Sequence, residues 1–302
     1  MRKIDNIFKI SKLERKASKK LRIEEVFKYG KNYNKALSFL RTQQYLPYKN
    51  IQKIISIQKD IKHPIGSLMF NEKNIPVGFV GTWFSKRIIK SKNSMFCNIH
   101  SWIVLKSYRL YSFFLISSLY NKNFNLVALT PVQSLKGLLL KIGFQKKKII
   151  FKAFLDLSIL GFHKSNYILI KNEKKIKDIL NRDKLKIYNS YTDQIYNKFV
   201  LYDNKKKKSI IVIGCLIKKK GFKIFNIFYA SNKSLFNNQK KKIIAIISKK
   251  IKTFIFSEYV FENEDDIILN KSVFSKNFKR DIYIKSKNKL SNFDLLNSDL
   301  VI

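Results

Sequence analysis

Cysteine, glycine, proline and acidic residues are all scarce in this chain of 302 residues. Its two cysteines, Cys97 and Cys215, lie far apart and outside any CxxC spacing. That excludes a disulfide scaffold and a Cys-rich zinc site, and it suits a reducing cytoplasm. No apolar run approaches the ~18–20 residues of a membrane-crossing helix, so no membrane span is expected. Met1 to Tyr29 carries acids and lacks the apolar stretch of a secretory signal. Glycine (9) and proline (4) are few, while Lys, Asn, Ile and Phe, the products of A- and T-rich codons, abound.

Against 20 acids stand 62 Lys and Arg, a formal charge of +42. Only 8 of those cations are Arg, which leaves 54 Lys. Readers of nucleic acid use Arg for bidentate and stacked contacts, so the Lys bias points to a solvated surface first. A basic RNA- or ribosome-associated protein is the alternative that the charge keeps open. With 45 % hydrophobic and 14 % aromatic residues, the chain can build a real core.

Residues 1–44 read as a helical extension, with Leu13, Leu21, Ile23 and Phe27 among cations and a second helix over Asn32–Gln43. Gly66–Phe70 and Pro76–Phe84 read as a hairpin around the turn Asn71–Asn74. A polar loop, Ser85–Ser94, leads to a strand over Phe96–Val104. Strict alternation there sets Ile99, Ser101 and Ile103 on one face and His100, Trp102 and Val104 on the other. A helix from about Ser112 to Asn121 and a strand over Phe124–Leu129 follow. Thr130 can cap the next helix, Pro131 suits its first turn, and Gly143 can close it. Val132, Leu135, Leu138, Leu139 and Ile142 form its apolar stripe. Ile149–Leu155 reads as a strand after the basic run Lys146–Lys148. The same order of hairpin, strand, loop, helix and strand recurs from Val200 to Phe256, which suggests duplication. The boundaries expected are 45–170 and 183–275 for two lobes, with 276–302 a loosely held tail.

The strand ending at Val104, the loop Tyr108–Arg109 and the helix start at Ser112 resemble the GNAT superfamily of acyl-CoA N-acyltransferases. Val77-Gly78-Phe79-Val80-Gly81 is similar to that family's "ivG" strand, and Lys141-Ile142-Gly143-Phe144 to the end of its fourth helix. The resemblance covers roughly Pro64–Phe154. It implies an α/β fold, a mixed central sheet flanked by helices, here duplicated as two GNAT-like lobes. It implies acetyl-CoA or another acyl-CoA as co-substrate and a small-molecule amine, such as an amino sugar, as acceptor. The pyrophosphate would lie on the loop Arg109, Leu110, Tyr111 and Ser112, where helix N–H groups suit an anion. A main-chain N–H near Ile103 or Val104 would hold the thioester carbonyl. Aligned on Arg109, the loop's two glycines are replaced by Ser112 and Phe114, and no tyrosine stands between Pro131 and Gly143 as the family's acid. That departure keeps a non-catalytic relative in view. His100 is the one ionisable side chain on the strand and the candidate general base. His63, His163 and the acids Glu258, Glu262, Glu264, Asp265 and Asp266 lack metal-ligand spacing, so no metal is expected. The loop Ser231–Asn238 has neither glycine nor arginine, so the second lobe is expected to lack the cofactor.

Overall fold

The computed structural model describes residues 21–43, 62–89, 92–120, 122–156, 165–191, 195–219, 221–261 and 275–286, with 52, 55, 56, 58 and 193. Twelve strands form one sheet in the order β1-β2-β3-β4-β5-β12-β6-β11-β10-β9-β8-β7. The strands are β1 (Arg22–Val26), β2 (Gly66–Phe70), β3 (Pro76–Ile89), β4 (Lys92–Val104), β5 (Asn125–Ala128) and β6 (Gln145–Leu155). The others are β7 (Tyr167–Ile170), β8 (Asn197–Asp203), β9 (Lys208–Lys219), β10 (Phe222–Ala230), β11 (Ile255–Phe261) and β12 (Ser275–Lys285). The α-helices are α1 (Tyr33–Thr42), α2 (Ser117–Tyr120), α3 (Gln133–Lys141), α4 (Glu173–Ile179), α5 (Arg182–Ser190), α6 (Lys233–Asn238) and α7 (Lys240–Ile251). A 3₁₀ helix spans Lys106–Ile116. The expected α/β class, a mixed sheet flanked by helices, is therefore what the chain adopts.

The strand order reads alike from both ends. β1 to β4 pair antiparallel, β4 and β5 pair parallel, and β12 then pairs antiparallel with β5. From the other edge β7 to β10 pair antiparallel, β10 and β11 pair parallel, and β6 pairs antiparallel with β11. β6 and β12 join at the centre. Each half is thus completed by a strand that follows the other half in the chain.

Two apolar layers flank the sheet. On one face Leu126, Ala128 and Tyr283 meet Leu115 and Leu119 of the helical stretch after β4 and Leu139 of α3, while Phe154, Phe225 and Phe256 meet α6 and α7. On the other face Leu68, Phe70 and Phe79 pack on α1 and Ile55. A central cluster there joins Trp83, Phe96, Val127, Ile149, Ile213 and Ile282 to Ile176 and Leu180 at α4.

Several local expectations are corrected. Residues 22–26 extend as edge strand β1 instead of continuing a helix. The polar loop expected over Ser85–Ser94 is mostly strand, since β3 runs to Ile89 and β4 begins at Lys92. Lys146–Lys148 lies inside β6. The expected loose tail supplies β12, whose Ile282 is fully buried at the centre of the sheet. Asp281 of that strand pairs with Lys146 at 2.9 Å, and Lys285 donates to the carbonyl of Ile142 at 3.2 Å. The N-cap of α3 is Val132 rather than Thr130, whereas Gly143 takes the left-handed φ of +85° that closes the helix. The opening residues 1–20, the tail beyond 286, His163 and Glu262–Asp266 lie outside the described residues.

Candidate functional site: the opening between β4 and β5

The parallel pairing of β4 with β5 covers Phe96 with Asn125, Cys97 with Leu126 and Asn98 with Val127, and there it stops. β4 nevertheless continues against β3 as far as Val104, which pairs with Gly78. From Ile99 to Val104, therefore, β4 has a strand partner on one edge only. A strand's N–H and C=O groups point to both edges, so this stretch offers backbone donors and acceptors on the edge that β5 leaves open.

A β-bulge sits at the mouth of that opening. Gly81 pairs with His100 and Phe79 with Ile103, so Ser101 and Trp102 together oppose Val80 alone. Ser101 takes a φ of +49° to accommodate the extra residue. The bulge breaks strict alternation, so Trp102 packs in the same cluster as Ile99 and not on the face of His100. Nothing in residue identity at Ser101 announces a left-handed backbone, which is why the alternating reading misassigned Trp102.

His100 lies on the opposite face, 5 % exposed. A Cβ on Gly81 would collide with its ring, so the imidazole occupies the space that this glycine leaves. Its Nδ1 is 2.9 Å from Ser101 Oγ, while Nε2 is buried with no hydrogen-bond partner. Burial pushes its pKa down to about 4, because the charged form loses its hydration. At neutral pH the ring is uncharged. In the tautomer that donates from Nδ1 to Ser101 Oγ, Nε2 holds a free lone pair.

After β4 the chain enters helix sooner than its sequence suggests. The 3₁₀ helix starts at Lys106, with Leu105 as N-cap and no side chain capping its first N–H groups. Leu105 N–H itself bonds the carbonyl of Val77 at 2.9 Å, tying the helix start to β3. Arg109 and Leu110 are exposed in the first turns, and Leu110 is 73 % exposed. Ser112 is buried inside the helix, so it is not the residue that opens it. Tyr108 and Tyr111 are half-buried against the cluster of Leu115 and Leu119, in a packing role. Ile103 and Val104 are half-buried at the end of β4. The structure thus places Ile103, Val104 and the Arg109–Tyr111 turns in succession along the end of β4 and the helix that follows. His100 shares the face of Ile103, opposite Trp102 and Val104, and Ser112 is drawn into the core.

Three further groups escaped the sequence reading. Trp102 Nε1, Ser118 Oγ and both side-chain polar atoms of Gln58 are buried without hydrogen-bond partners. Only burial identifies them, since none belongs to a motif.

The second half of the sheet has the same opening, closed. β10 and β11 pair parallel from Ile224 with Ile255 to Ile227 with Glu258, and β10 then shifts register around Phe228. Here the Tyr259 hydroxyl donates across the gap to the Phe228 carbonyl at 3.1 Å. The helix that follows, α6, is capped by Asn232, whose side chain accepts from Leu235 N–H at 2.8 Å. A half-buried pair of Lys240 and Glu258 lies on the flanking α7 and β11. In the second half a strand carbonyl and a helix N–H are thus engaged by side chains.

Among the described residues no three His, Cys, Asp or Glu side chains come together as a metal-holding group. His63 stacks on Phe84 at 4.6 Å between ring centroids. The Cys97 thiol is buried and its pKa pushed up, the opposite of an activated nucleophile. No described helix is long and apolar enough to cross a membrane.

No protein-family model matches the chain, and no curated protein sequence does. Solved structures match it over most of its length. A GCN5-related N-acetyltransferase from Anabaena variabilis superposes with a TM-score of 0.57 at 11 % identity, covering 88 % of this chain and 73 % of the other. One from Kribbella flavida gives 0.57 at 8 % identity, covering 88 % and 72 %. A fungal glucosamine N-acetyltransferase region within a multi-domain protein gives 0.53 at 10 % identity, covering 88 % and 38 %. With the parallel β4–β5 pair, its opening and the helix start beyond it, these likenesses establish that the chain has the fold of the GCN5-related N-acetyltransferases.

Proposed function

We propose that the protein transfers an acyl group from acyl-CoA to a small amine, and that only the β4–β5 opening does so. The observation that carries this reading is the contrast between the two openings. One keeps an uncapped helix start and unpaired β4 backbone, while its counterpart is bridged by Tyr259 and capped by Asn232.

The pantetheine arm would lie along Ile99–Val104, with a main-chain N–H near Ile103 or Val104 on the thioester carbonyl. The pyrophosphate would meet the first turn of the 3₁₀ helix, where free N–H groups and the helix dipole favour negative charge. Arg109, Leu110 and Tyr111 border that turn, and Arg109 adds an exposed cation. Ser112, being buried, would contribute through the helix backbone. The amine attacks the thioester carbonyl, a C–N bond forms, and the C–S bond breaks as the pair returns to sulfur. The amine's proton passes to Nε2 of His100, and the thiolate leaves to be protonated in turn. A neutral imidazole with a depressed pKa has its lone pair free throughout the physiological range. Negative charge growing on the oxyanion raises its proton affinity as the step proceeds.

Titration calorimetry with acetyl-CoA and longer acyl-CoAs is the test. Binding below millimolar levels that weakens about tenfold in Arg109→Glu is expected, by the loss of a charge-assisted contact. No heat with any acyl-CoA overturns the reading. Glucosamine is the first acceptor to assay, since one structural neighbour is a glucosamine N-acetyltransferase region.

A further inference from the structure

The rungs that cross β5 fix where β12 stands relative to β4. Cys97, Leu126 and Lys285 make one rung, and Asn98, Val127 and Ile284 make the next. β5 ends at Ala128, opposite Tyr283. Below Tyr283 the edge of β12 that faces β4 has no strand partner among the described residues, while its other edge stays paired with β6 down to Ser275. The far wall of the opening is therefore β12. Continued in step, the rungs set Arg280 level with Trp102, next to Ile103, two strand spacings or ~10 Å away.

Alternation from Ile282, buried in the cluster of Trp83 and Phe96, puts Arg280 on that same face of the sheet. His100 and Ile103 share this face, whereas the 3₁₀ helix and α3 cover the reverse. The acyl-CoA reading brings the donor in from the helix start, which leaves the face of Arg280 to the acceptor. Arg280 is exposed, and among the described residues no carboxylate pairs with it. Its neighbour Asp281 lies on the helix face, held by Lys146 and Lys136.

The Arg280 guanidinium lies over the Phe151 ring, 5.9 Å from the centroid. Phe151 is the middle residue of an aromatic row, opposite Phe278 of β12 on one side and Tyr259 of β11 on the other. Phe278 is 50 % exposed. A guanidinium laid on a ring keeps its N–H fork in one plane, a match for two oxygens of a carboxylate or phosphate. Lysine is the usual cation of this chain, and it would solvate this position equally well. It could not stack and offer a fork together.

We propose that Arg280 is the acceptor-specificity residue, binding a carboxylate or phosphate of the amine while Phe278 and Phe151 take the body of the molecule. The acceptors selected are thus amino acids or amino sugar phosphates, over amines of the same body that lack the anion. This deepens the acyl-transfer reading and rests on it for the reaction, whereas the binding claim is tested without acyl-CoA.

Titration calorimetry in the absence of acyl-CoA compares phenylalanine with phenethylamine, and glucosamine 6-phosphate with glucosamine. The anionic member of at least one pair is expected to bind the intact protein about tenfold tighter or more. The first pair reads a carboxylate and the second a phosphate. Arg280→Gln is expected to erase that preference, and Arg280→Lys to restore only part of it. A charge of +42 attracts any anion, so Lys279→Gln, one residue away on the opposite face, is the control and is expected to keep the preference. No preference in the intact protein, a preference that survives Arg280→Gln, full recovery in Arg280→Lys, or an equal loss in Lys279→Gln overturns the proposal. Acetyl-CoA, titrated separately, is expected to bind all four proteins alike. Its failure to bind any of them, with the amine results as expected, overturns the acyl-transfer reading and leaves Arg280 an anion-binding residue.

Discussion

Lowering the pH from 7 to 4 isolates one buried group, His100. In the unfolded chain its imidazole titrates near 6.5, whereas in the fold burial holds it down to about 4. A base whose folded pKa is depressed contributes stability that is complete above 6.5 and is lost as the pH falls through 4. The difference is 6.5 − 4 = 2.5 units, and at ~1.36 kcal/mol per unit this amounts to roughly 3 kcal/mol. Urea denaturation of the intact protein and of His100→Gln, followed by far-UV circular dichroism at several pH values, gives the term by subtraction. Contributions common to the two proteins cancel in that difference. The variant's stability is expected to fall by about 3 kcal/mol less than the intact protein's between pH 7 and pH 4. Parallel pH profiles would refute the argument, because they require an imidazole that is solvated or paired in the fold. A rise in the His100 pKa on adding acyl-CoA or amine, followed by the ring carbon resonance in NMR, would locate the ligand beside it.

Three shorter predictions bear on the same architecture. Ile282→Ala is expected to cost about 2–5 kcal/mol in urea denaturation, as for any fully buried strand residue; a loss below ~0.5 kcal/mol would return β12 to a loose tail. Gly81→Ala drives a methyl into the His100 ring and is expected to cost about 1–3 kcal/mol and to reduce amine turnover more than acyl-CoA binding; unchanged stability would refute the ring's position. Tyr259→Phe removes the hydroxyl that closes the second opening, so about 0.5–1.5 kcal/mol of stability is expected to go with turnover intact; a comparable loss of turnover would place chemistry in the second half.

The elements that the sequence announces are those with local signals. The hairpin of β2 and β3 has its turn at Asn71–Asn74, where Asn71 Oδ1 accepts from the N–H groups of Lys73 and Ile75. α3 has its stripe and Gly143. What remained illegible depends on partners far away in the chain. β1 reads Arg-Ile-Glu-Glu-Val, which suits a helix, and it extends because β2 offers it an open edge. β12 reads as cation-rich and loose, and it is ordered by pairing with β5 and β6 on either side. At the site, strand and loop positions could be placed, but the bulge at Ser101 is a product of tertiary packing.

The exchange of β6 and β12 bears on how the site is held open. β5 forms one wall of the opening, and on its other side it pairs with β12, not with the strand that follows it in the chain. β12 is itself fixed by β6 and by the pair of Asp281 with Lys146. β5 is four residues long, and three of them pair with each neighbour. So short a strand has little hold of its own, and its position depends on a segment that arrives only after the whole second half has been made. A shift in β12 would move the Leu126–Ala128 wall relative to β4, whose position is fixed separately by its long pairing with β3. The second half, although its own opening is bridged, therefore acts on the first opening by delivering β12, and the width of that opening is a property of the entire twelve-stranded sheet.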